Sequence, residues 1–229
     1  MLILAIDCAQ RFCAVALHDS ATDTPIASRC PDIGRGHAEL LPGIVAEVLA
    51  LAGTDLAAVE RLVVTTGPGS FAGIRVGVAF ARGLALALSV PCVGVPTLMA
   101  MAQPLARVRD SAVMVALDAR REHVWCAVVN ADGGFAVPPC ELKPEAAALL
   151  AATSDCLLAG SAAGQLVAIE PALQVRLAGG GLVHPDAPSI EAVARIGAGL
   201  DPAAYPPQPL YLRDPDAKPQ AGFALAREA

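Results

Sequence analysis

The sequence predicts an α/β protein built from two like domains, each with the element order β-β-β-α-β-α. Three observations carry this. The string Leu4-Ala5-Ile6-Asp7, followed by a short polar turn and Cys13-Ala14-Val15-Ala16-Leu17, returns as Val115-Ala116-Leu117-Asp118 and Cys126-Ala127-Val128-Val129. Each copy is an apolar strand ending in a lone Asp, a turn, and a second strand running back. The offset of roughly 111 residues is several times a solenoid unit, so it marks a duplicated domain. Apolar strands alternate with helical stretches in both halves, the pattern of mixed sheets with helices on their faces. With 55% hydrophobic and 17% charged residues in 229, there is apolar surface enough for two packed cores.

In order, the first half reads as strands at 2–7, 12–18 and 25–30, a helix at 38–51, a strand at 61–66, a helix at 72–88 and a strand at 92–95. The second half reads as strands at 112–118, 123–130 and 135–140, a helix at 144–152, a strand at 156–159 and a helix at 162–169. An apolar stretch at 173–177 and a helix at 189–200 follow. The domains are expected at 1–103 and 104–229, linked near 103–110, where Pro104 sits among charged residues. In the 38–51 helix, Pro42 is expected in the first turn, where its missing N–H costs least. The helix at 72–88 carries Gly73, Gly77 and Gly83 beside Val76, Phe80 and Leu84. Each internal glycine costs roughly 1 kcal/mol against Ala, so something must approach that face closely. Two readings stand: packing on the domain's own sheet, or a helix–helix interface with another chain, and the nearly all-round apolar surface favours the second. The stretch 201–219 holds six prolines, and 220–229 lacks evident partners, so the tail is expected to be mobile unless docked.

Composition removes several function classes. No uncharged apolar run reaches the ~18 residues of a spanning helix, and the longest, 76–90, is broken by Arg82. The first six residues run straight into Asp7 with no basic start, which reads as a strand and not a signal peptide. Seven cysteines without a C-x-x-C pair argue against a disulfide framework or a structural zinc, and point to a reducing, cytoplasmic setting. A net charge of −6 has the wrong sign for gripping nucleic acid unaided, so such a role must run through a partner. The one basic cluster, Arg107, Arg109, Arg120 and Arg121, is diluted by Asp110, Asp118 and Glu122.

Two domains that each open on a strand–Asp–turn–strand unit suggest the actin-like ATPase architecture, in which such turns face each other across a nucleotide cleft. Working clefts place Gly and Ser or Thr after each Asp, so that amides and hydroxyls hold phosphate. Here Asp7 is followed by Cys8-Ala9-Gln10 and Asp118 by Ala119-Arg120-Arg121. Each Asp has two readings, a cap on its own turn or a magnesium ligand. The first is favoured, because one carboxylate without phosphate loops makes a poor Mg²⁺ site. The glycine-rich string Gly67-Pro68-Gly69-Ser70-Phe71-Ala72-Gly73-Ile74-Arg75 lies between a strand and a helix, where phosphates are often held. It lacks the Lys-Ser/Thr of a P-loop, and its third glycine comes one residue late for a dinucleotide fold.

That nine-residue string is specific in another way. Together with Ile3-Leu4-Ala5-Ile6-Asp7, His37-Ala38-Glu39-Leu40-Leu41-Pro42, Ala116-Leu117-Asp118-Ala119-Arg120 and Pro209-Leu210-Tyr211-Leu212-Arg213, in that order, it resembles the bacterial TsaB (YeaZ) family over essentially the whole chain. The resemblance implies an actin-like (ASKHA) fold of two ribonuclease-H-like domains. It also implies a part in making threonylcarbamoyladenosine in tRNAs that read codons beginning with A. Family members are non-catalytic scaffolds for the TsaD transferase, working beside the ATPase TsaE, with ATP and metal held on those partners and tRNA met only indirectly. The transferase's His-x-x-x-His metal pair falls here on Thr97 and Met101. The four histidines, His18, His37, His123 and His184, lie on separate elements, so neither a metal nor a cofactor is expected in the isolated chain.

A partner surface is accordingly expected from His37, Leu40, Leu41, Ile44, Gly73, Val76, Gly77, Phe80 and Leu84, serving a homodimer in the free protein and the transferase in the complex. His37 reads as a capping or interface polar residue in preference to a general base. Arg75 reads equally as a group neutralising a helix end or cleft carboxylate and as a partner contact. The competing class is an ATP-dependent, kinase-like transferase using Asp7 and Asp118.

Overall fold

A computed structural model describes residues 1–178 and 186–212. His184, Arg213 and the remainder of the tail lie outside the described residues. The first half contains β1 (Leu2–Asp7), β2 (Ala14–Asp19), β3 (Thr24–Arg29), α1 (His37–Ala52), β4 (Arg61–Gly67), α2 (Phe71–Leu88), β5 (Cys92–Pro96) and α3 (Thr97–Arg109). The second contains β6 (Val113–Asp118), β7 (Val124–Val129), β8 (Phe135–Leu142), α4 (Pro144–Thr153), β9 (Leu157–Ala159), α5 (Ala163–Ile169) and α6 (Ile190–Gly199). The repeated β-β-β-α-β-α order is therefore present twice.

The first sheet runs β3-β2-β1-β4-β5 and the second β8-β7-β6-β9. In each, the strand ending in Asp is central, antiparallel to the next strand and parallel to the one after the first helix. Central placement buries both faces, which is why β1 and β6 read as continuous apolar runs and not as alternating ones. Among the described residues the second sheet has four strands. Most of the apolar stretch at 173–177 lies in a 3₁₀ segment, Pro171–Arg176, with a single parallel bridge from Leu177 to Leu158.

One face of the first sheet packs against α1 and α2 through Leu41, Val45, Val48, Ile74, Val78 and Ala81. Its other face is covered by α6, whose Val193, Ala194 and Ile196 meet Ile3, Ala5 and Val63. α3 works in the opposite sense. Leu98, Met101, Ala102 and Leu105 pack on Val113, Val115 and Ala127 of the second sheet, while Met99 and Ala100 face the α6 cluster. Position 103/104, where the two domains were expected to join, lies within α3. The link is a buried helix, and α6, though encoded in the second half, belongs to the core of the first sheet.

Two devices fix α6. Gly197 lies so close to β4 that a Cβ there would meet Val63 Cγ1 at 2.3 Å. Arg61 donates from Nη1 to the carbonyls of Gly197, Ala198 and Leu200, supplying a cation and donors at the helix C-terminus. Pro42 is a further correction, lying in the second turn of α1 and not the first. The carbonyl its missing N–H would have engaged belongs to exposed Ala38, and the apolar face of Leu41, Ile44, Val45 and Val48 carries the helix through.

Candidate functional site: a filled cleft and an exposed helix face

The Asp7 turn is closed by the chain's own atoms. Asp7 is 1% exposed, and its Oδ1 accepts from the Ala9 amide at 2.9 Å and the Thr65 hydroxyl at 2.5 Å. Burial raises its pKa, against the opposing pull of the Thr65 and Ala9 bonds and of His37. Asp118 makes the equivalent turn at the surface, with Oδ1 accepting from the Arg120 amide at 2.8 Å and its own amide donating to Ser161 Oγ at 3.2 Å. In both turns the carboxylate accepts from the amide two residues on. Arg120, Arg121 and Glu122 adopt positive φ in succession, so the β6–β7 turn is a short left-handed coil where a phosphate loop would have glycine.

The glycine-rich string packs directly on the Asp7 turn. The Ser70 amide donates to the Ala9 carbonyl at 2.6 Å, and Ser70 Oγ accepts from the Gly73 amide to cap α2. A Cβ on Gly69 would meet Ala9 O at 2.1 Å, and one on Gly73 would meet Cys8 O at 2.0 Å. These glycines let the start of α2 lie against the backbone after β1, in the space and with the amides that a phosphate would use. Gly67 and Gly94 make the same kind of allowance for residues 201–212. Leu210 N donates to Thr66 O at 2.7 Å, Gly94 N donates to Tyr205 O at 2.9 Å, and Cβ atoms at the two glycines would collide with the carbonyls of Leu210 and Pro206. This part of the proline-rich tail is docked.

Arg75 receives an assignment that neither sequence reading contained. Its guanidinium lies 3.9 Å from the Phe71 ring centre and donates from Nε to Tyr211 Oη at 2.8 Å, with the two rings 5.1 Å apart. It ties α2 to the docked tail by stacking and a hydrogen bond. His37 also turns inward, its Nε2 lying 3.1 Å from the carbonyls of both Gln10 and Phe12. With two acceptors facing it, Nε2 is the protonated nitrogen, which makes His37 a clamp on the β1–β2 turn.

Among the described residues there is no group of three His, Cys, Asp or Glu arranged to hold a metal. Thr97 and Met101 are buried in α3. Sequence reasoning missed Thr65, Arg61 and Gly197. Each acts on a partner far away in sequence, so no local signal marks it.

The model of the family described as TsaD, tRNA N6-adenosine threonylcarbamoyltransferase, matches residues 31–155. A Pseudomonas aeruginosa structure described as YeaZ superposes with a TM-score of 0.70 at 27% identity, covering 92% of this chain and 99% of that one. A second from that organism, described as an uncharacterized protein with similarity to peptidase YEAZ, gives 0.73 at 29%, covering 93% and 99%. The tRNA threonylcarbamoyladenosine biosynthesis protein TsaB of Escherichia coli is 40% identical over 133 residues, 58% of this chain and 56% of its own length. The chain belongs to the TsaB/YeaZ family. It has that family's actin-like fold, although its matched stretch spans only about half the length of the curated TsaB relatives.

The residues expected to form a partner surface lie on α1 and α2. Leu41, Ile44, Gly73 and Gly77 are buried within their own domain, and His37 nearly so. The close approach that the α2 glycines announce is thus intramolecular, with Gly77 set against Cys8 and Val64. Val76, Phe80 and Leu84 are half-buried against the same core, and Leu40 is exposed. α2 leaves to solvent the small residues Ala72, Ala79, Gly83 and Ala87, flanked by Leu86 and interrupted by Arg75 and Arg82, with Phe71 exposed at its start. By length and composition α2 is apolar enough to cross a membrane, but its glycine face is committed to the sheet.

Proposed function

We propose that the chain is a non-catalytic scaffold in forming threonylcarbamoyladenosine on tRNA, binding and activating a TsaD-type transferase. In this reading ATP and metal sit on partner subunits, a TsaE-type ATPase joins through the complex, and the work is cytoplasmic. The observation that carries it is the Asp7 turn. The carboxylate is buried and bonded to Thr65 and Ala9, and the amide of Ser70, where a phosphate would be met, is bonded to Ala9 O. A nucleotide would have to displace the fold's own packing. The kinase-like alternative requires micromolar Mg·ATP affinity in the isolated chain, roughly −8 kcal/mol.

The exposed small-residue strip of α2, with Leu40 on α1, is the surface we assign to the transferase and, in the free protein, to a second copy. An isologous pairing of helices covers it with the least new structure. tRNA is reached indirectly, consistent with the net charge of −6. The test is co-purification with a TsaD-type transferase and a tRNA modification assay on each component and on the mixture. Modification by this chain alone would falsify the scaffold role. Ala79→Arg, at an exposed helix position, should abolish co-purification and dimerisation while circular dichroism is unchanged. If both associations survive, the interface lies elsewhere.

A further inference from the structure

The seven cysteines include two pairs within sulfur contact, and the pairs differ in access. Cys8 and Cys13 are 3.9 Å apart and both buried at 1% exposure or less. Cys126 on β7 and Cys140 on β8 are register partners, with Sγ atoms 3.6 Å apart. β8 is the edge strand of its sheet, and Cys140 is only half-buried. Directly opposed residues on antiparallel strands have Cα atoms about 4.5–5.5 Å apart, within the roughly 4.4–6.8 Å a disulfide bridges, and this pair stands at the edge of a register shift between Cys126 and Val128.

We propose that Cys126 and Cys140 form a reversible disulfide site, oxidised by low-molecular-weight disulfides such as oxidised glutathione. The Cys140 thiolate attacks one sulfur of the oxidant and expels a small thiolate, leaving a mixed disulfide on Cys140. Cys126 then attacks Cys140 Sγ, its proton passing to the second small thiolate as that group is expelled. Two protein thiols are oxidised, one small disulfide is reduced to two thiols, and β8 is stapled to β7. The order of attack follows from the site. Cys126 is fully buried, and its hydrogen-bond contact with Cys140 lowers the Cys140 pKa to about 7. By contrast, desolvation pushes exposed Cys30 up to about 11, so it is a thiol at neutral pH and a slower nucleophile.

The test uses the reduced full-length chain treated with oxidised glutathione at neutral pH, followed by thiol counting and non-reducing peptide mapping. Two of the seven thiols should be lost with no glutathione retained. The Cys126 and Cys140 peptides should be cross-linked, and dithiothreitol should reverse the change. Cys126→Ser should trap glutathione on Cys140 in stoichiometric yield. Glutathione retained on Cys140 of the unmutated chain would overturn the proposal. So would modification of Cys30 or the Cys8–Cys13 pair while Cys126 and Cys140 stay free. The unmutated chain decides the matter even if a variant fails to fold.

Discussion

Asp7 keeps its place at the end of the central strand, but its chemistry is that of a core residue. The Thr65 hydroxyl and the Ala9 amide converge on one carboxylate oxygen, and no solvent reaches it. Thr65→Val keeps shape and volume but removes a donor from a buried acceptor. It should cost about 1–3 kcal/mol, read as a fall in the urea midpoint at constant slope. The titration of Asp7 also has a sign. Burial raises its folded pKa above the unfolded value, so on raising the pH the unfolded chain ionises first while the folded state holds its proton. Asp7 therefore costs stability progressively as pH climbs from the unfolded towards the folded value, and the full cost persists above it. Asp7→Asn should gain on the unmutated protein between acid and neutral pH, as paired urea titrations would show. A difference independent of pH would mean that Asp7 does not titrate differently on folding.

At the scale of the element, the helix at α2 shows how one residue type serves two ends. Gly73 and Gly83 look alike in sequence, yet a Cβ at Gly73 would strike Cys8 O at 2.0 Å and one at Gly83 would meet nothing within 4 Å. Gly73→Ala should lose about 1–3 kcal/mol by forcing α2 off the β1 turn. Gly83→Ala should gain close to 1 kcal/mol from helix propensity alone. Thermal melts of the two variants should move in opposite directions, and a loss at Gly83 would place an unseen contact there. The pair also shows what the sequence could tell. The duplicated hairpins and helix order were readable because strand period and turn chemistry are local. Which face of α2 the glycines line was not, since a cost in helix propensity announces a close neighbour without saying whether it is the same chain. Leu41 and Ile44, expected on a partner surface, are buried in their own domain, while Leu40, one residue away, is exposed.

For the whole molecule, the decisive feature is that α3 covers the second sheet and α6 the first, with the two helices meeting between them. No period or motif encodes that crossing. It depends on contacts such as Gly197 on Val63 and Arg61 on the end of α6, more than a hundred residues apart in sequence. The exchange should make the two sheets one cooperative unit, because melting either removes a helix that the other packs against. The single tryptophan allows a direct check. Trp125 lies on β7 of the second sheet, with its indole N–H donated to Glu141 at 2.9 Å, so its fluorescence reports that sheet. Gly197→Val would drive a branched side chain into Val63 of the first sheet, where even a Cβ would sit 2.3 Å from the nearest methyl. Overpacking of this kind costs about 1–3 kcal/mol or more. The Trp125 transition should fall to lower denaturant in step with the far-ultraviolet circular dichroism, although the substitution is in the other sheet's core. A Trp125 midpoint that stayed in place while the dichroism split into two steps would show that the sheets unfold independently and that the shared helices do not couple them.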